Sequence, residues 1–371
     1  MRTYRICAAV LVLLTLLCCG AQAAEKEDEV LSAQAEALDL QSLEQAAEEY
    51  GGGQAITPDT GLEEGLQAIL DTGSDEVFGV VRKAVRSGVL LLVVVLLCAL
   101  ADGMKAAGQL GGGIDVVAVA GALAVTAVAV ADVNTLIGLG REALDNMNMF
   151  SKVLLPTITA AAAASGAPSG AAARQLATVL FSDVLMSLIT HLLIPLVYAY
   201  IAAATAYAAL GNEGLKRIGG VLKWVVTTVL TSILIIFVGY LTVSGVIAGT
   251  ADAATVKAAK FAVSSVVPVV GGILSDAAET VLVGASVLRN TVGVFGMLTV
   301  LGICLVPFLQ LGIHYLAYKL TAALTGTVSA GRVTGLIDSI GGAFGLVLGM
   351  TGACALLMLV SIVSAISVVT V

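Results

Sequence analysis

Charge is scarce in this chain of 371 residues. Asp, Glu, Lys and Arg make up 12% of it against 58% hydrophobic residues, and the mean hydropathy is +1.02. So little polar surface cannot cover a soluble globule, and the composition implies a polytopic membrane protein. Basic residues are too dispersed to form a nucleic-acid surface, so nucleic acid is excluded as a partner. There are two histidines, His191 and His314, and neither has a neighbour at metal-ligand spacing. Of the six cysteines, Cys7, Cys18 and Cys19 fall in the N-terminal apolar run, and Cys98, Cys304 and Cys354 in later apolar spans. No CxxC or Cys/His spacing occurs, so they read as small buried apolar residues rather than a metal or redox set. Paired carboxylates, a Ser/His/Asp set, a glycine-rich phosphate loop and a Walker-type lysine are all missing. That leaves no basis for hydrolytic or nucleotide chemistry, and no cofactor is implied.

What charge there is lies unevenly. Residues 25–76 hold fifteen Asp/Glu and one Lys, a net −14, whereas residues 77–371 are net +4. The low pI of about 4.8 therefore comes from one short segment. Ahead of it, residues 1–23 have a basic start (Arg2, Arg5), an apolar core and Ala21-Gln22-Ala23 as a small-x-small site, the pattern of a secretory signal peptide. A lipoprotein anchor at Cys18 or Cys19 is the competing reading, disfavoured by the residues before them, Leu17 and Cys18. Residues 24–86 read as an acidic, mostly flexible extracytoplasmic arm, because their charge opposes a packed core. Leu31, Leu38 and Leu43 also permit a short amphipathic helix that could dock a partner outside the cytoplasm.

The multipass helical domain occupies residues 87–371. Crossings are expected over Ser87–Ala107, Ile114–Ile137, Asp183–Leu210, Trp224–Ala248, Thr291–Tyr318 and Gly341–Val371, about six in all. Glycines 108 and 111–113 join the first two, and the polar stretch Arg141–Lys152 reads as interfacial. The segment 211–223 carries Lys216, Arg217 and Lys223, which assigns it to the cytoplasm as a loop. In the last span Gly341, Gly345, Gly349 and Ala353 recur every fourth residue, a small-residue face for close helix packing.

Prolines are few, six in the chain, and two of them centre broken apolar segments. Pro156, followed by Gly166, Pro168 and Gly170, interrupts one; Pro268, Gly271 and Gly272 interrupt the other. Each is expected to be a re-entrant hairpin that leaves on the side it entered, since broken backbone at membrane depth must be covered by protein or water. Pro156 and Pro195 are 39 residues apart, as are Pro268 and Pro307, which suggests an internal repeat; two unrelated kinked helices are the alternative. Of the ionisable groups near membrane depth, Asp276 and Glu279 are placed to cap the second leg of the later hairpin. Arg289 with Asn290 marks that leg's interfacial end. Asp183 either caps a helix or faces a polar pathway.

Three stretches together carry a resemblance: LLPTITAAAAASG (Leu154–Gly166), AVSSVVPVVGGILSDAAETVL (Ala262–Leu282) and LRNTVGVFG (Leu288–Gly296). Behind a signal peptide and an acidic arm, the chain from about residue 77 onward resembles stage III sporulation protein AE of endospore-forming bacteria. The resemblance implies a non-enzymatic, multipass subunit of the SpoIIIA complex, in the mother-cell membrane around the forespore. There the complex joins SpoIIQ and forms a channel-like conduit needed for forespore development and late gene expression. The other function in view is a self-sufficient secondary transporter with its substrate site between the two proline-centred repeats. A membrane enzyme has no residue constellation to support it.

Overall fold

Long apolar runs studded with small residues favour helices that approach closely. The computed structural model describes residues 36, 38–51, 56–58, 60–107, 115–164, 181, 183–237, 239, 271–328 and 331–367, with backbone alone at 75, 104–107, 162, 271–285 and 364–367. Among the described residues there is no strand. The helices in chain order are α1 (Leu40–Tyr50), α2 (Leu62–Ala107), α3 (Val116–Ala164), α4 (Asp183–Leu210), α5 (Glu213–Phe237), α6 (Gly271–Val328) and α7 (Arg332–Ser367). Six of them, α2 to α7, are long and apolar enough to cross a membrane, which makes this an all-α polytopic membrane protein.

Side-chain contacts fix the helix directions. Gly65, Gly73 and Gly88 of α2 lie against Leu298, Leu305 and Thr321 of α6, so these two helices run parallel. α3 runs against both: Gly121 meets Cys98 of α2, and Leu154 meets Gly296 of α6. Tyr318, Tyr315 and Phe308 of α6 meet Gly341, Gly345 and Gly352 of α7 in turn, an antiparallel pair. α4 ends where α5 begins, with only Gly211 and Asn212 between them, and Tyr200 of α4 touches Gly219 of α5 and Gly342 of α7. Direction therefore alternates from α2 through α7. The ends of α4 and α6 and the starts of α3, α5 and α7 gather at one end of the bundle. Its core, with Leu91, Leu144, Met147, Phe150, Phe295, Tyr318 and Phe344 fully buried, is centred on α6.

Several expectations change. The break at Pro156 is not there: α3 passes through the supposed interfacial stretch and past Pro156 to Ala164 as one 49-residue helix. A proline inside a helix costs about 3 kcal/mol. Here Pro156 sits on the exposed side, while Leu154, Leu155, Ile158 and Ala161 around it are buried. Thr157 and Thr159 donate their hydroxyls to the carbonyls of Val153 and Leu155 at 2.9 and 2.6 Å, supplying local hydrogen bonds beside the missing one. The polar stretch is amphipathic because Ala143, Leu144, Met147 and Phe150 face the core and Arg141, Glu142, Asp145 and Lys152 face out, not because it lies along an interface.

The later segment changes likewise. Gly271 and Gly272 belong to α6 rather than to a break, and α6 continues for 58 residues to Val328, with no end at Arg289-Asn290. Asp276 and Glu279 therefore lie inside the helix, past its first turn, and do not cap it. Arg289, expected at an interface, is only 2% exposed. Pro268 itself, the expected signal peptide, the expected glycine turn at 108–113 and residues 165–180 lie outside the described residues. The 39-residue proline spacing has no structural counterpart among the described residues. Pro195 follows a π turn at Ile189–Leu193, closed by the Ile194 N–H donating to Ile189, whereas its supposed counterpart Pro307 is buried within regular α-helix. The wider turn lets the chain accept Pro195, which lacks an N–H and would crowd the carbonyl four residues back.

The arm is also shorter than its composition suggests. Residues 62–86 form the first half of α2, so the boundary at residue 86 falls inside a helix. α1 packs Leu43, Ala46 and Ala47 on the core, mainly against α3, since its apolar residues recur at three- and four-residue spacing.

Candidate functional site

In a bundle this apolar, the polar side chains that meet across helices are the informative ones, because an ionisable group among apolar helices is costly unless paired. Asp132 lies on α3 sixteen residues beyond its first residue, Val116, about 24 Å along the axis. Tyr318 of α6 donates its hydroxyl to the Asp132 carboxylate at 2.8 Å. The Tyr318 ring is fully buried, meets Phe344 of α7 edge-on with centroids 5.1 Å apart, and covers Gly341. One tyrosine thus ties α3, α6 and α7 together, and it can do so because residue 341 has no side chain.

A second set stands where the helix ends gather. Lys319 Nζ of α6 is 2.6 Å from Asp338 Oδ1 of α7. Arg332, the first residue of α7, donates from Nη2 to Asp115 Oδ2 at 3.0 Å, just ahead of α3. The Arg332 guanidinium also occupies the space a Cβ would need at Gly211. Gly211 closes α4 in the left-handed region (φ 70°, ψ 18°), its N–H donating to the Tyr207 carbonyl at 2.8 Å. Only glycine suits both the dihedral and the arginine overhead. Asn212 then accepts the Gly214 N–H at 2.8 Å and opens α5.

These links fasten helices together. Each carboxylate is already engaged by a donor. Among the described residues no group of three His, Cys, Asp or Glu side chains could hold a metal ion. Cys304 and Cys354 are buried, and Cys304 contacts Met147 Sδ at 3.2 Å.

The residues singled out from sequence fall into separate places. Pro156, Pro195 and Asp183 are exposed on α3 and α4, and Pro307 is buried in α6; the structure does not bring them together. Gly341 and Gly345 lie against Tyr318 and Tyr315, where an added Cβ would come within 3.0 Å. Ala353 is buried, but Gly349 is exposed and faces Leu230 at a comfortable 3.9 Å; Gly352 makes the next contact with α6 instead. Sequence reasoning did not find Asp132–Tyr318, Asp115–Arg332 or Lys319–Asp338, whose partners are up to 217 residues apart. It also passed over Gly65, Gly73 and Gly88, although spacings near two and four turns put them on one face of a helix.

The fold can be set against known proteins. A family model described as stage III sporulation protein AE matches residues 59–369. The curated stage III sporulation protein AE of Bacillus subtilis (strain 168) is 27% identical over 199 residues, covering 54% of this chain and 50% of that protein. The matched stretch thus spans about half the length of that relative. No solved structure matches the chain. With the family model covering the bundle from before α2 to the last residues, the chain belongs to the stage III sporulation protein AE family.

Proposed function

We propose that this protein is a non-catalytic, multipass subunit of a sporulation-specific, channel-like complex, the SpoIIIA–SpoIIQ assembly linking mother cell and forespore. Family membership supports the sporulation role. The observation that carries the subunit reading is helix length. At 46, 49 and 58 residues, α2, α3 and α6 are about 69, 74 and 87 Å long, more than twice the ~30 Å hydrocarbon core. Part of the bundle therefore stands beyond the hydrocarbon core. Between α2, α6 and α7 an apolar cleft of about 490 Å³ is lined by Leu66, Leu70, Leu305, Phe308 and Leu356. An apolar cleft of this size suits a helix of a neighbouring subunit, and helices that outreach the bilayer offer neighbours further surface to pack on.

In this reading the complex lies in the mother-cell membrane around the forespore. Residues 1–23 direct export, and the acidic segment before α2 is extracytoplasmic. The α4–α5 junction, with Lys216, Arg217 and Lys223, faces the cytoplasm, as the positive-inside tendency favours. Exposed Leu97, Leu123, Trp224 and Ile235 meet lipid. The test is affinity capture from sporulating cells beside reconstitution of the purified chain. Other membrane subunits of the complex are expected in the capture, and no solute flux in liposomes holding this chain alone. Flux by the lone protein would establish the stand-alone transporter instead.

A further inference from the structure

One cavity lies outside everything used so far. Between α4, α5 and α7, where helix ends gather, a cavity of about 220 Å³ is lined by Tyr200, Tyr207, Lys216, Lys223 and Ser339 over a floor of Gly219 and Gly220. Lys216 and Lys223 are seven residues apart, two turns of α5, and so share one face. The glycines between them keep that face open: Gly220 has nothing within 4 Å of where a Cβ would stand. Lys216 Nζ lies 5.5 Å over the Tyr207 ring and 3.7 Å from Glu213, to which Tyr207 also donates at 3.2 Å. Lys223 has no carboxylate partner among the described residues, and Asp338, the other acid nearby, is held by Lys319 at 2.6 Å. The cavity thus has a surplus of positive charge over a wall of apolar atoms from Ala204, Leu215 and the two glycines.

On the same helix Ile218, Val221 and Trp224 are 52%, 58% and 65% exposed. Apolar side chains and a tryptophan flanking lysines mark the level where hydrocarbon gives way to headgroups. A lysine ammonium binds phosphate as a point charge, and the apolar wall suits the glycerol and first methylenes beside it. We propose that this cavity binds the phosphate of an anionic phospholipid headgroup through Lys216 and Lys223. The site is independent of the channel reading, since it needs only a bilayer at this level.

Trp224 is the single tryptophan of the chain and follows Lys223 on α5, outside the cavity lining, so its emission reports binding beside the cavity. The full chain, purified in non-ionic detergent, is titrated with short-chain phosphatidylglycerol, the matching phosphatidylcholine, or inorganic phosphate. Phosphatidylglycerol should give a saturable change in Trp224 emission beyond the change that phosphatidylcholine gives. The K216Q/K223Q variant should bind at least tenfold more weakly, and K223Q alone should show part of that loss should the double variant not fold. R217Q, outside the cavity lining, should stay within twofold. Equal responses to the two lipids, or an unchanged K223Q and K216Q/K223Q, would overturn the proposal. A lysine-dependent response to inorganic phosphate at the lipid's concentration would keep the phosphate site but overturn a lipid as its source.

Discussion

Tyr318 reaches across 186 residues of sequence to give its hydroxyl to Asp132 at 2.8 Å, from a ring with no exposed surface. Removing the hydroxyl leaves a half-buried carboxylate without that donor. Tyr318→Phe should destabilise by about 1–3 kcal/mol, and Asp132→Asn, whose amide oxygen still accepts, by less. Thermal unfolding of the purified variants in detergent measures both. With Asp132→Ala, which does remove the acceptor, a double variant whose loss equals the sum of the singles would show that the bond contributes nothing.

Arg332 does two things at once, pairing with Asp115 and filling the space over Gly211. The pair is partly exposed, with side chains 30% and 40% accessible, so Arg332→Ala should cost only about 0.5–1 kcal/mol. Gly211→Ala meets both the positive φ and the guanidinium, and should cost more than about 1 kcal/mol. In the double variant the clash is relieved and the dihedral strain is not. The combined loss should fall short of the sum, read from the same unfolding curves.

Glycines on α7 should differ by what faces them. Gly345→Leu drives a side chain into the Tyr315 ring, where even a Cβ would lie at 3.0 Å, and should cost about 1–3 kcal/mol or halt accumulation in the membrane. Gly349→Leu points outward past Leu230 and should be tolerated. Leucine favours the helix over glycine at both positions, so equal losses would mean that close approach to Tyr315 does not set the difference between the two faces.

At Pro156 the continuous helix makes a simple forecast. Pro156→Ala restores a backbone donor within α3 and should leave stability unchanged or raise it by up to about 3 kcal/mol. A re-entrant break would instead need its proline, and the substitution would then lower membrane accumulation.

For orientation, Ile218→Cys puts a thiol on an exposed position beside Lys216 and Arg217. In intact cells it should resist a membrane-impermeant maleimide and react only after permeabilisation, with Leu62→Cys at the far end of the bundle showing the reverse. Labelling of position 218 in intact cells would invert the proposed topology.

Much was legible without coordinates, and for a physical reason. Lipid imposes one requirement on every residue of a span, so apolar runs of sufficient length declare themselves, and α4 has the Asp183–Leu210 bounds read from the residues alone. The family signature and the small-residue run of α7 are likewise local patterns. What a proline does is not local. Pro156 looked like a break because its intrinsic cost is all a sequence displays, whereas buried neighbours and threonine hydroxyls accompany an α3 that continues through it. Nor can spacing say which carboxylate a tyrosine or an arginine will meet. Asp132, Asp115 and Gly211 took their roles only when α3, α4, α6 and α7 came side by side, because a hydrogen bond depends on a few ångströms in space and not on separation along the chain.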